Sequence, residues 1–457
     1  MAVTSQPSSA RRRQLLKAAA GAGVLGALQR SIALAQGASD YRALVCIFQF
    51  GGNDGENTLV RFDNAGYQNY AAIRTPASQL NIPQGQLLPI QPLRGGTPFG
   101  FHPACGNLQA LFNSRKLAVV ANMGILAQPS TKAGLESGGT RRPANLFSHS
   151  DQELAVQSAD WRGATRVGWG GLIADKLDVT FGGSLFPSLV AVGKVTTQAA
   201  GRTSVPLGVP ESSSFSAWVT GQFDYDSLRD AAMRELLNED FVDLYSRAAQ
   251  RFAQDGFSAS SVVQPIFDNP GSMVKPFFAG LNSSIAKQLR NVALMIEGRA
   301  QIGLKRQVFL TNQLLYDTHG NQLAVHNILL DDLSRALGAF QNAMTALGLA
   351  DNVTTFTLSE MGRTFKPAAN AGTDHGWGNY AFVLGGAVKG GDFYGTLPTQ
   401  ALNGPDDFGK EGRWIPTTSV EQYGATLVRW LGIAEADLPY VFPNIGAFGN
   451  TNMGFMA

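Results

Sequence analysis

The sequence predicts an α/β protein built on a doubly wound, mostly parallel sheet. Three observations point there. The run Tyr41 to Phe50 is apolar on both faces, as a strand buried between two layers must be. Further short runs rich in aliphatic and β-branched residues, at 117–121, 187–192, 306–311 and 353–358, alternate with stretches of helical period. Gly is frequent, 52 of 457 residues, without a repeat period, as in a protein with many loops at strand ends.

Taken in order, the first strand runs into Gly51-Gly52-Asn53-Asp54-Gly55, where glycines permit a sharp turn and a close backbone approach. Residues 62–100 read as irregular surface, punctuated by Pro and Gly. His102-Pro103 opens a helix carrying Leu108, Leu111 and Phe112, before the strand at 117–121. Residues 226–255 and 272–302 read as amphipathic helices, which makes 195–300 a helical insertion or cap on the sheet. The strand from Arg306 to Thr311 leads through Asp317-Thr318-His319-Gly320 into a long helix from about Val325 to Leu347. The strand Val353 to Leu358 stops on Ser359-Glu360, and a loop bearing Gly, Pro and Asn carries the chain to Asp374-His375. A second apolar run, Tyr380 to Val388, re-enters the core, and a helix from Gln422 to Gly432 closes the order.

The N-terminus reads as an export signal. Arg12-Arg13-Gln14-Leu15-Leu16-Lys17 has the twin-arginine form, and the Gly/Ala-rich run from Ala18 to Leu28 is too short and too glycine-rich to span a membrane well. Ala33-Leu34-Ala35 supplies small residues for cleavage before Gln36. Removing the five positive charges of residues 1–35 turns the formal charge of +2 into −3. The mature chain is then slightly acidic, with no Lys/Arg stripe for nucleic acid. It is expected to be periplasmic or secreted, without a stable membrane anchor. Cys46 and Cys105 form no CxxC motif; one disulfide and two buried free thiols are both compatible with an oxidising compartment.

In an open α/β sheet, groups at the carboxyl ends of strands face the ligand crevice. That places Asp54, Asp317, His319, Glu360, Asp374 and His375 where they can hold a divalent cation, Zn, Mn, Mg or Ca, through carboxylates and imidazoles. His326, near the start of the long helix, reads first as a solvated surface histidine, with a ligand or a group behind the ligands as the other readings. Ser148-His149-Ser150-Asp151 leads into a helix. A serine there serves as a cap, and the same geometry sets a hydroxyl beside backbone N–H groups that hold anions. Ser148, Ser150 and His149 are therefore candidate catalytic residues, with Arg141, Arg142 and Asn145 nearby for oxyanions.

Several segments resemble the secreted bacterial DUF1501 family, grouped with alkaline phosphatases, sulfatases and cofactor-independent phosphoglycerate mutases. They include FQFGGNDGENTLV (48–60), FSHSDQ (147–152), GWGGLIAD (168–175), YDTHGNQ (316–322), LSEMGRT (358–364) and DHGWGNYAFVLGGAVKGGDFYG (374–395). The resemblance implies an alkaline-phosphatase-type fold and two divalent metals held at strand ends. It implies a first-strand Asp matched by Asp54, an Asp/His pair matched by Asp317 and His319, and a final His matched by His375. Glu360-Met361 departs from the family pattern, standing where metal-binding relatives have Asp-His. The implied function is a metal-dependent hydrolase or phosphotransferase acting on a phosphate or related ester. The alternative is a non-catalytic exported metal-binding or assembly protein. The partner is then a small ester or an exported protein, of which the DUF1800 family is one candidate.

Overall fold

In the computed structural model, residues 40–75, 79–181, 186–212 and 226–457 are described. The predicted export signal and its cleavage site lie outside them. Among the described residues, Arg42–Gln49 lies in the middle of a nine-stranded sheet. It pairs in parallel with Arg306–Gln313 on one side and with Val353–Ser359 on the other. Leu189–Val192 and then Leu207–Val209 extend the sheet in parallel beyond Arg306–Gln313. Beyond Val353–Ser359 comes Asn379–Leu384, antiparallel to that strand and to Leu117–Gly124. Phe393–Tyr394 and Thr418–Ser419 pair in parallel with Leu117–Gly124. The sheet is mostly parallel, as the sequence predicts; the run after His375 enters it in the opposite sense.

The central strand shows why its sequence is apolar throughout. Leu44, Cys46 and Phe48 point into one core, beside Trp169, Leu172 and Ile173 of the helix Trp169–Phe181 and Val420, Leu427 and Val428 of Val420–Leu431. On the other face lie Gly106–Asn113, Ser284–Glu297 and Gln322–Ala346, which pack on one another and on the sheet. Helices on both faces make the sheet doubly wound. Among the described residues no helix is long and apolar enough to cross a membrane.

Several expectations change. Residues 62–100 are not irregular throughout: Asn64–Arg74 is a helix, capped by Asp63, whose Oδ1 accepts the Gly66 N–H at 2.9 Å. Its weak local pattern is overridden by burial of Tyr70 and Arg74 on one face. The expected helix over 226–255 breaks, since Asp226–Leu236 ends and Asp243 caps a new helix, Leu244–Asp268. Asn269-Pro270-Gly271 ends that one, because the ring of Pro270 disfavours the helical region for the residue before it, and Asn269 has ψ 111°. Ser284–Glu297, within the block read as a helical insertion or cap, packs on the strand Arg306–Gln313 and on Gln322–Ala346 and so covers the sheet. The loop expected after Glu360 is an antiparallel hairpin, Arg363–Ala368 with Gly372–His375. Cys46 and Cys105 are both free and buried.

Candidate metal centre

Parallel register sets the site. Gln49 lies opposite both Gln313 and Ser359, so the residues that follow each strand leave the same edge side by side. Gly51, with φ +110°, turns so tightly that a Cβ there would lie 2.2 Å from the Asp317 backbone nitrogen. Only glycine fits this approach, which brings the Gly51 N–H to Glu360 Oε1 at 2.6 Å. The glycine turn therefore closes against Asp317 and Glu360.

Three imidazoles meet above this edge. His149 Nε2 is 3.1 Å from His375 Nε2, and His319 Nε2 is 2.9 Å from the same atom. Asp317 Oδ1 lies 3.2 Å from His149 Nε2, 2.9 Å from His319 Nε2 and 3.6 Å from His375 Nε2. Arg363 grips the same oxygen at 2.8 Å. That guanidinium is held in turn by the Gly51 and Thr373 carbonyls and the Thr373 hydroxyl, so Asp317 is anchored from below.

Proton accounting shows what such a cluster requires. His375 Nδ1 lies 2.7 Å from the Phe147 carbonyl, which can only accept, so Nδ1 carries the proton and Nε2 of the neutral ring is a lone pair. His149 Nδ1 lies 2.9 Å from Glu360 Oε1, so it too donates outward. Neutral, the two rings would face each other lone pair to lone pair at 3.1 Å. A proton on His149 Nε2, or a cation bound by all of them, would relieve that contact. The Glu360 hydrogen bond raises the His149 pKa, against opposing burial, while burial lowers that of His375. Burial pushes the Asp317 carboxyl up, but Arg363 and the neighbouring histidines bring it below the usual range. An imidazole that donates Nδ1–H to a carboxylate or carbonyl while presenting Nε2 is the outer-shell arrangement of metal-binding histidines.

The donor set fits a divalent ion. The ligand atoms of His149, Asp317 and His375 lie within 4.8 Å of one another, as do those of His319, Asp374 and His375, and of His149, Glu153 and Glu360. Glu153 escapes a reading from strand ends; its signal is the i,i+4 spacing from His149, which puts both on one helix face. Burial, then the charge of Glu360, raise its pKa. Asp374 is bound through Oδ2 to Arg413 at 3.1 Å.

Other candidates are placed differently. Asp54 stands apart from these clusters. It is buried, its Oδ2 lies 2.6 Å from Arg74 Nη1 in a pair with fully buried side chains, and Gln322 also donates to it. Its Oδ1 accepts the Glu56 N–H at 3.1 Å as a helix cap. With Arg74 and Gln322 on one oxygen and Arg74 and Glu56 on the other, Asp54 is committed to a structural pair. Ser148 occupies the N-cap position of His149–Ser158, yet its hydroxyl donates to Asp151 Oδ2 at 2.6 Å and lies 3.3 Å from Ser150 Oγ. Asn145 also bonds Asp151, and Arg142 stacks over Phe408. The residue of this segment that joins the centre is His149. Met361 is buried without an imidazole-like role, and the imidazole beside Glu360 is that of His149. His326 is no surface histidine: it is buried, its Nε2 lies 2.9 Å from Asn53 Oδ1, and burial lowers its pKa to about 3.

Residues 240–419 match the DUF1501 family model, described as a protein of unknown function. The match includes Asp317, His319, Glu360, Asp374 and His375 but neither His149 nor the first strand. No curated protein matches the chain by sequence. Solved structures align over most of its length at low identity. Ps i-CgsB gives a TM-score of 0.38 at 9% identity, over 90% of this chain and 77% of that one. The lipoteichoic acid synthase LtaP from Listeria monocytogenes gives 0.35 at 8%, over 92% and 75%. The PsFucS1 sulfatase from Pseudoalteromonas sp. gives 0.33 at 9%, over 89% and 70%.

Proposed function

We propose that this chain is an exported metalloprotein whose centre, His149, Asp317, His319 and His375, holds a divalent cation and acts on a phosphate or related ester. In this reading the doubly wound sheet is of the alkaline-phosphatase type. The observation that carries the proposal is the meeting of three Nε2 atoms with Asp317 Oδ1, with the Nδ1 protons of His149 and His375 committed outward. Imidazole-rich donors favour zinc or a similar transition metal over magnesium or calcium, which prefer all-oxygen shells. A bound cation would supply Lewis-acid polarisation of an ester oxygen and a lowered pKa for a hydroxyl or water. Arg413, tied to Asp374 and to the His375 carbonyl, stands at the rim, where its planar donors suit a phosphate or sulfate. A second reading, a non-catalytic metal-binding or assembly protein with an exported protein partner, is favoured by one observation. The Ser148 hydroxyl is committed to Asp151, with Ser150 beside it, so neither serine is engaged with the centre.

Protein purified without chelator is expected to contain a divalent metal, and added Zn²⁺ is expected to raise the melting temperature of stripped protein. At a free concentration 100 times the dissociation constant the stabilisation is about 2.7 kcal/mol. The cation competes with the proton that His149 holds, so affinity should fall as pH is lowered and binding should release a proton. Turnover on a panel of phosphate mono- and diesters and sulfates supports the enzyme; firmly held metal without turnover supports the second reading. Protein that purifies metal-free and gains no stability from Zn²⁺ or Mn²⁺ sinks the centre itself.

A further inference from the structure

Gln152 lies one turn along the helix from His149, and its side chain is fully buried. Its Oε1 accepts the Phe147 N–H at 2.6 Å, and its Nε2 donates to the Glu360 carbonyl at 3.2 Å. The orientation of the amide is fixed, because one neighbour can only donate and the other only accept. Each of these two residues holds one histidine. The Phe147 carbonyl lies 2.7 Å from His375 Nδ1, and the Glu360 carboxylate lies 2.9 Å from His149 Nδ1. The chain of bonds closes where the two Nε2 atoms meet at 3.1 Å.

Phe147 adds a second observation. Its φ is +75°, a region that a bulky side chain occupies only under constraint. That conformation turns its N–H inward to Gln152 while its carbonyl faces His375. Without an acceptor for the N–H, the peptide loses a reason to stay there, and the carbonyl that sets the His375 tautomer is released with it.

We infer that Gln152 is a positioning residue that fixes the separation and the tautomers of His149 and His375 before a cation arrives. The inference rests on the proposed cation centre and extends it from the groups that would touch the ion to the amide that sets them. Phe147 and Glu360 are far apart in sequence, and this one side chain makes their positions interdependent.

The test uses the full chain loaded with Co²⁺ as a spectroscopic probe. Gln152→Met keeps length and volume but neither bond. It is expected to weaken Co²⁺ binding by roughly tenfold or more, the scale of losing an outer-shell partner, and to shift the visible ligand-field bands. Gln152→Glu keeps the acceptor for Phe147 but turns a carboxylate oxygen on the Glu360 carbonyl in place of the N–H donor, so its spectrum should also depart from wild type; it also serves if the Met variant does not fold. Loss of stability alone, with affinity and spectrum unchanged in a folded variant, overturns the inference. Wild-type protein that binds no Co²⁺ overturns the cation centre, and the inference with it.

Discussion

Asp54→Ala is expected to lower folding stability by roughly 3–5 kcal/mol, the scale of removing one partner from a buried ion pair, and to leave cation binding unchanged. The reason is the Arg74 guanidinium, whose side chain is as inaccessible as that of Asp54. With Asp54 gone, Arg74 keeps the Asn57 side chain and the Thr364 and Phe365 carbonyls but loses the carboxylate bonded to it. Burial pushes the Asp54 carboxyl up, yet Arg74 brings it below its usual range, so the pair is ionised in the folded state. A carboxyl with a lowered folded pKa contributes stability above its unfolded pKa and loses it as pH falls through the folded value. The variant should therefore lose part of the acid sensitivity of the wild type. Denaturant titration with a parallel metal titration decides it. A variant that keeps its stability but sheds its metal would return Asp54 to the centre. Replacing both partners, Asp54→Leu with Arg74→Met, should cost less than Asp54→Ala alone.

His375→Ala is expected to abolish tight cation binding with little loss of stability in metal-free protein. His375 Nε2 is the hub, 3.1 Å from His149, 2.9 Å from His319 and 3.6 Å from Asp317. The imidazole is partly exposed at the hairpin end, so truncating it leaves no large cavity. The affinity loss should exceed the roughly 10–100-fold that follows removal of an outer partner. Glu360→Gln, which removes only the charge facing His149 Nδ1, provides that smaller step for comparison. Equilibrium competition against a chelator of known zinc affinity measures both. Equal affinity in wild type and His375→Ala means the ion sits on another donor set.

The sequence by itself determined the strands and the edge where chemistry collects. A segment apolar on both faces must be covered on both sides, which marks 41–50 as a central strand, and β-branched content marks 353–358 as another. Residues just past strand ends, Asp317, His319 and Glu360, then share one edge; in the structure Asp317 and His319 meet His375, while Glu360 meets His149. Only the tertiary structure decided the rest, because it depends on which charges meet across distant segments. By sequence Asp54 is equivalent to Asp317, an acid after a strand; Arg74, 20 residues on, sets it apart by pairing with it. Nothing local marks Arg74, Arg363 or Gln152, since each is defined by partners from other elements. By sequence His149 stands with its flanking serines at a helix start. Its role comes from Glu360 and His375, more than 200 residues away, which take its two ring nitrogens. His326 looked solvated from its place on a helix, but burial depends on what packs over that face. Asn53 and Tyr316 do so here. Periodicity is a short-range property and survives in the sequence. Proton ownership and charge pairing arise only when the chain folds back on itself.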